Sequence, residues 1–293
     1  MENFAVNPCV PYDYKRTTEC VKMIVRRYGE VLNVAYIYRS TQGRNIHVLK
    51  LGRGKRKILF VAAIHGREYV STSFLLYSTE FYARMCTEKS ISDAKVQKLF
   101  EEYSFYVVPV CNPDSVEIAL GKEIPCADIP DFCAYTFKDN ANGVNINANF
   151  PFEWQEVPLF RHRGRYAASE KETRNLMCLC EKENFEKMIS LHSRGGCLYW
   201  RDAGNKEIKG DSELAQNISD MCRLAICPVT EDVKAYSGGF ENWFRYKYGR
   251  PAICVELVSD ENAPFDLCCR KFFEYTDWEN TKNLFLSVVR ANI

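Results

Sequence analysis

The chain has 293 residues, of which 46% are hydrophobic, 26% charged and 13% aromatic. This composition indicates a globular protein with a large core, and it excludes intrinsic disorder, collagen-like and coiled-coil architectures. The 39 basic and 38 acidic residues leave a net charge of +1, so no overall field would hold nucleic acid or an anionic membrane.

Apolar patterns predict alternating strands and helices along most of the chain. The predicted elements, in chain order, are a helix over 13–28, strands over 34–38, 46–51 and 57–64, a helix over 68–85, a strand over 105–109, a helix from Ser169 with a capping box to Glu172, a strand over 187–191, a helix over 211–224, a strand over 252–257 and a closing helix over 265–289. Strands that alternate with helices indicate an α/β sheet covered on both faces.

A long segment between residues 112 and 169 has few periodic elements and is rich in Pro, Asn, Asp and Gly. Irregular segments of this length inside a compact domain are usually functional, so we expect it to form a wall of the site. Its basic residues Arg161, Arg163 and Arg165 are either solvated or bind a small anion.

We expect a single domain over residues 1–293, without signal peptide or propeptide. The first residues lack the basic and apolar regions of a secretory signal, and no apolar run approaches the ~20 residues of a transmembrane helix. The 14 cysteines include no Cys-x-x-Cys pair. In a large chain without an export signal, they indicate reduced thiols and a cytoplasmic protein.

Two histidines directly follow predicted buried strands. His65 follows the strand over 57–64, and His192 follows the strand over 187–191. In open α/β sheets, ligands collect at the carboxyl ends of strands, so these two residues can meet in space. Glu68 lies three positions after His65, a spacing that puts both side chains on one side of a helical turn. Two imidazoles and one carboxylate, with a position left for water, form the ligand set of a hydrolytic zinc site.

Glu256 interrupts the apolar strand over 252–257. Burying an unpaired carboxylate is costly, so Glu256 is either a salt-bridged structural residue or a general acid or base beside a metal-bound water. The remaining histidines carry weaker signals. His47 lies in an alternating strand and is expected to be structural, and His162 lies in a basic loop and is expected to be exposed.

Six motifs follow one another along the chain. They are His-Gly-Arg-Glu at 65–68, Val-Cys-Asn-Pro-Asp at 110–114, Gly-Val-Asn-Ile-Asn-Ala-Asn-Phe-Pro at 143–151, Leu-His-Ser at 191–193, Ser-Gly-Gly at 237–239 with Trp243, and Glu256. In this order they resemble the carboxypeptidase A-like zinc metallopeptidases, over nearly the whole chain. The resemblance implies a single α/β domain with a mixed, twisted sheet of roughly eight strands and helices on both faces.

Within that family, two segments are most similar to the branch that cleaves the γ-D-glutamyl–diaminopimelate bond of bacterial cell-wall peptides. They are the motif at 143–151 and the run His-Ser-Arg-Gly-Gly-Cys-Leu-Tyr-Trp at 192–200. The resemblance implies one Zn²⁺ per chain, bound by His65, Glu68 and His192. It also implies that Glu256 takes a proton from the attacking water and delivers it to the leaving amine.

Three further residues match substrate-contacting positions of the family. Arg67 matches an arginine that contacts substrate, and Asn147 matches an asparagine that helps to bind a terminal carboxylate. Lys138 stands where the family usually has an arginine that polarises the scissile carbonyl.

Three departures bear on specificity. Ala148 stands where exopeptidases have an arginine that clamps the C-terminal carboxylate, and alanine cannot supply that contact. Lys234 replaces a tyrosine, for which Tyr236 could partly substitute. Glu241 occupies a position that the family uses for pocket specificity. An acidic residue there suits a side-chain amine, whereas the alternative for Glu241 is a surface residue at a helix start.

The function expected from the sequence is zinc-dependent hydrolysis of an amide bond in a γ-D-glutamyl-diaminopimelate peptide or muropeptide, with neither nucleic acid nor membrane as partner. One alternative is a conventional metallocarboxypeptidase that removes a C-terminal residue, basic residues included. Another is a catalytically silent peptide-binding homologue. The sequence leaves open the oligomeric state and the choice between endo- and exopeptidase.

Overall fold

A mixed sheet organises the chain. The computed structural model describes residues 4–88, 93–129, 131–154, 163–201, 206–229, 238–274 and 277–289. Within these residues the strands are β1 (Leu32–Arg39), β2 (Asn45–Leu51), β3 (Arg56–Ala62), β4 (Tyr103–Val108), β5 (Lys187–Ser193), β6 (Cys197–Tyr199), β7 (Ala225–Ile226) and β8 (Ala252–Leu257). They form one eight-stranded sheet in the order β1-β2-β4-β3-β5-β8-β6-β7, which confirms the expected α/β fold.

Helices cover both faces of this sheet. Those in the described parts of the chain are α1 (Tyr14–Arg27), α2 (Val70–Thr87), α3 (Ala94–Glu102), α4 (Pro113–Ala119), α5 (Lys171–Glu183), α6 (Asp211–Cys222), α7 (Phe240–Tyr248), α8 (Phe265–Glu274), α9 (Asp277–Thr281) and α10 (Leu284–Ser287). Alternate residues of β3 point to opposite faces. Ile58 and Phe60 pack in the core shared with α1, α2, α6 and α8, whereas Leu59 and Val61 pack in the core shared with α5 and α7.

The order of the strands places a topological switch point between the ends of β3 and β5. These two strands are parallel neighbours, and β8 pairs in parallel with the other edge of β5. From β3 the chain passes through α2 and α3 to β4, and it returns through α5, on the opposite face, to β5. Ligands bind at such switch points, at the carboxyl ends of the strands.

The turn after β3 is held by the segment around residue 112. The main-chain NH of Asn112 donates to the carbonyl of Ala63, and its side-chain amide donates to the carbonyl of Ile64. A short 3-10 helix then begins at Gly66, where an added Cβ would lie 2.3 Å from the Ser115 carbonyl oxygen. Only glycine fits this contact, so the motifs at 65–68 and 110–114 form one packed unit.

Two expected element boundaries are wrong. The capping box from Ser169 does not form, because Glu170 is the N-cap of α5 and the buried Glu172 carboxylate accepts from the Thr41 NH at 2.7 Å. The strand over 187–191 continues to Ser193 because its pairing with β8 continues, so His192 lies within β5 rather than after it.

The expected closing helix over 265–289 is also wrong, because the described residues of this segment form the separate helices α8, α9 and α10. The break lets Phe285 of α10 stack on Phe60 of β3, with ring centroids 4.3 Å apart. No helix among the residues placed by the structure is long and apolar enough to cross a membrane.

A buried ion pair connects α6 to α7, the helix that carries Glu241. Nη1 and Nη2 of Arg245 donate to the carboxylate of Asp211, at 2.8 and 2.7 Å, and both side chains are 1% exposed. The same carboxylate accepts from the main-chain NH of Ile208 at the start of α6. Removing one partner of a buried pair leaves an uncompensated charge.

We expect Asp211→Asn to lower the free energy of unfolding by about 3–5 kcal/mol, because Arg245 is then buried without a counter-charge. Urea denaturation followed by circular dichroism measures this change. Asp220→Asn, at an exposed position of the same helix, is the matched control and should change stability by less than about 0.5 kcal/mol. Equal stability of both variants would contradict a structural role for the pair.

Candidate metal centre

The side chains of His65, Glu68 and His192 converge at the ends of β3 and β5. The two oxygens of Glu68 lie 3.0 Å from Nδ1 of His65 and 3.0 Å from Nδ1 of His192. One donor atom from each residue lies within 4.8 Å of the other two, and Glu68 and His192 are buried. Two imidazole nitrogens and a carboxylate oxygen at this spacing fit a zinc ion with one coordination position left for water.

The orientation of the His65 ring depends on Asn145. Nε2 of His65 lies 3.1 Å from Oδ1 of Asn145, and the same oxygen accepts from the main-chain NH of Asn147 at 3.0 Å. Because Oδ1 can only accept, His65 carries its proton on Nε2, which leaves the lone pair of Nδ1 for a metal. Sequence reasoning missed this role of Asn145, although the residue lies in the motif at 143–151.

His192 has a carboxylate on the side away from Glu68. Its Nε2 is buried and has no hydrogen-bond partner among the residues that the structure describes, and Oε1 of Glu241 lies 3.7 Å away. The Ser190 hydroxyl donates to the same oxygen of Glu241. The Glu241 side chain is 14% exposed, so the alternative of a surface residue is wrong. Cys254, on the neighbouring strand β8, lies close to both, and His192, Glu241 and Cys254 form a second group of possible metal ligands.

Glu256 lies beside His192 across the β5–β8 pair, where the two residues are register partners. Burial raises the pKa of Glu256 to about 7. His192 and Arg67 act to lower that pKa, and the carboxylates of Glu68 and Glu241 act to raise it. A carboxyl group that titrates near neutral pH can both accept and donate a proton.

The two buried ligand candidates have opposite pKa shifts. Burial acts to raise the pKa of Glu68, but the adjacent imidazoles of His65 and His192 hold it below its usual range. For His192, burial acts to lower the pKa, and the carboxylates of Glu241 and Glu68 raise it. Without a bound cation, positive charge on His192 therefore stabilises the carboxylate of Glu68.

Three residues that sequence reasoning assigned to substrate lie around this centre. Arg67 is part of the 3-10 helix that carries Glu68, and its main-chain NH donates to the carbonyl of Phe137, the residue before Lys138. Asn147 accepts from the main-chain NH of Phe240 through Oδ1, at 2.8 Å. Its side-chain nitrogen is therefore the end available to a ligand.

The position of the missing arginine clamp is closed. Ala148 is 6% exposed, and its carbonyl oxygen lies 2.3 Å from where a Cβ on Gly238 would stand.

The other residues that the sequence singled out lie elsewhere. Arg163 is buried and Arg165 exposed, whereas Arg161, His162, Lys234 and Tyr236 lie outside the described residues. His47 lies in β2 and is 7% exposed.

Known proteins are similar to this chain over most of its length. The profile of a family described as zinc carboxypeptidase matches residues 17–282. The uncharacterized protein YqgT of Bacillus subtilis is 28% identical over 286 residues, which cover 87% of this chain and 72% of YqgT. Gamma-D-glutamyl-L-diamino acid endopeptidase 1 of Lysinibacillus sphaericus is 23% identical over 275 residues, 88% of this chain and 68% of that protein. The crystal structure of thrombin activatable fibrinolysis inhibitor shares the fold, with a TM-score of 0.76 and 17% identity over 98% of this chain and 75% of that one.

We expect the purified protein to contain about one zinc per chain, and His192→Ala to contain almost none, because the remaining two ligands form an incomplete site. Mass spectrometry of the metal content measures this directly. His47→Gln is the control, since His47 lies in β2 outside the cluster. Full zinc content in His192→Ala would show that the metal lies elsewhere.

Proposed function

The chain belongs to the zinc carboxypeptidase family and is a zinc metallopeptidase, and we propose that it cleaves the amide bond between a γ-D-glutamyl residue and a diamino acid such as diaminopimelate. The substrates of this reaction are peptides of the bacterial cell wall or the muropeptides derived from them. The Lysinibacillus relative, named for this bond type, supports the proposal.

The observation that carries the proposal is the charge beside the metal centre. The half-buried carboxylate of Glu241 lies next to His192, and alanine stands at position 148, where an arginine would clamp a terminal carboxylate. Such a site favours a substrate amine over a free carboxylate next to the cleaved bond. A diamino acid supplies that amine, and its peptide can continue beyond the bond.

We assign the metal to His65, Glu68 and His192 and the proton transfers to Glu256. Zinc, when bound, supplies Lewis acidity and lowers the pKa of water. Glu256, with a pKa of about 7, accepts the proton of the attacking water and passes it to the leaving amine. Lys138 follows Phe137, whose carbonyl accepts from the main-chain NH of Arg67, and its positive charge stabilises the developing oxyanion.

A conventional carboxypeptidase is the second candidate. The side-chain nitrogen of Asn147 has no recorded partner in the described parts of the chain, and the bond from Phe240 orients the amide, so this nitrogen is suited to donate to a terminal carboxylate. Under this alternative, Glu241 would select a basic C-terminal residue. Mass spectrometry of products from L-Ala-γ-D-Glu-diaminopimelate-D-Ala, in which the carboxylate next to the cleaved bond is amide-linked, beside peptides ending in Phe or Lys, separates the two candidates.

The cytoplasm is the proposed compartment. All 14 cysteines are free, including the adjacent buried Cys268 and Cys269, as expected for a chain kept under reducing conditions.

We expect Glu256→Gln to lower kcat by about 10²–10⁴-fold while zinc is retained, because the amide keeps the shape of the side chain but cannot accept a proton. Steady-state kinetics and metal analysis measure both quantities. Glu261→Gln, at an exposed position near the end of β8, is the matched control. A kcat within about tenfold of the wild type would assign the proton transfers to another group.

We expect Glu241→Gln to reduce the preference for diaminopimelate over leucine on the amine side of the bond by about tenfold in kcat/KM, because a charged contact to the substrate amine is lost. The ratio of kcat/KM for two peptides that differ only at this residue measures the preference. Glu213→Gln, exposed on α6, is the control, and zinc content shows whether His192 still binds. An unchanged ratio would remove Glu241 from the substrate site.

A further inference from the structure

Two arginines beside the metal centre share one aromatic ring. The guanidinium carbon of Arg67 lies 5.0 Å from the ring centroid of Phe265, and that of Arg194 lies 4.4 Å from it. Arg67 stands between His65 and Glu68 in the chain, and Arg194 follows His192 by two positions. Both positive charges therefore belong to the chain segments that carry the candidate metal ligands.

The hydrogen bonds recorded for these two arginines go to main-chain carbonyl oxygens. Arg67 donates through Nη1 to the carbonyl of Thr136 at 3.1 Å, and Arg194 donates through Nη1 to the carbonyl of Ala263. In the part of the chain that the structure describes, neither arginine forms an ion pair with a carboxylate, and Nε of Arg67 is buried without a hydrogen-bond partner. Each guanidinium has five N–H donors, so most of them remain for a ligand.

The Phe265 ring, against which both arginines pack, is held in place by Tyr135. Phe265 is 6% exposed, its main-chain NH donates to the hydroxyl of Tyr135 at 2.9 Å, and the two rings pack edge to face at 5.9 Å. Cation–π contact with a fixed ring limits the freedom of both side chains. A pair of oriented guanidinium groups is suited to bind a carboxylate.

A γ-linked glutamyl residue brings such a carboxylate to the acyl side of the cleaved bond. Its α-carboxylate is free, and only three carbon atoms separate it from the carbonyl carbon of the amide that is cut. An α-linked peptide has an uncharged backbone amide in the corresponding region. We propose that Arg194, together with Arg67, binds the free α-carboxylate of a γ-linked glutamyl residue and so selects γ-glutamyl over α-linked peptides. This inference rests on the proposed function.

The test compares two peptides and three variants. The peptides are L-Ala-γ-D-Glu-diaminopimelate and the same peptide with the glutamyl α-carboxylate replaced by a carboxamide. The variants are Arg194→Gln, Arg194→Lys and the control Arg26→Gln, which is exposed on α1. Kinetic constants are measured for each pair, together with thermal melting and zinc content.

We expect the wild type to prefer the carboxylate peptide by about tenfold or more in kcat/KM, as for a hydrogen bond between charged groups. Arg194→Gln should lose about tenfold on that peptide, mainly through KM, and change less than about twofold on the carboxamide. Arg194→Lys should retain part of the preference, because it keeps the charge but loses the paired geometry. An equal loss on both peptides would assign Arg194 a structural role and overturn the inference.

The wild-type comparison needs no variant and separates the two levels of the proposal. Cleavage of both glutamyl peptides at equal efficiency would overturn the inference and leave the proposed function in place. A wild type that leaves both intact but releases lysine from a hippuryl-lysine standard would overturn the proposed function, and the inference with it.

Discussion

The carboxylate of Glu68 is the group on which the metal centre depends. It is 5% exposed and lies between two imidazoles, each 3.0 Å from one of its oxygens. A buried carboxylate costs free energy unless positive charge compensates it. Either the imidazolium of His192 or a zinc ion supplies that charge, so the carboxylate is compensated with and without metal. The segments after β3 and within β5 are thereby joined through one side chain.

The sheet and its loops bring that carboxylate to the two histidines. Parallel pairing of β3, β5 and β8 aligns their carboxyl ends, and the register of β5 with β8 puts Glu256 opposite His192. The turn that carries His65 is braced by Asn112, and the contact of Gly66 with Ser115 sets the distance between that turn and α4. The geometry of the candidate centre therefore depends on main-chain contacts, one of which leaves no room for a Cβ at position 66.

Negative and positive side chains lie on different sides of the metal centre. Glu241 and Glu256 lie on the side of β5 and β8, and their carboxylates face His192. Arg67 and Arg194 lie at Phe265, on the segments that precede Glu68 and follow β5. A substrate with a carboxylate on its acyl side and an amine on its leaving side complements both groups at once. A γ-glutamyl–diamino acid bond has this arrangement, which links the specificity proposals to one molecule.

The sequence by itself determined the α/β class, the sheet core and the residues of the candidate centre, because burial on both faces leaves continuous apolar runs and the polar residues at their ends stand out. It also located β8 at its observed bounds, 252–257. Only the tertiary structure decided that the 265–289 segment is divided, that Asn145 orients His65, that Glu241 lies beside His192, and that Arg67 and Arg194 both pack against Phe265. These contacts join segments far apart in the chain through irregular loops. The path of such loops is determined by packing and hydrogen bonds between distant residues, which leave no local periodicity in the sequence.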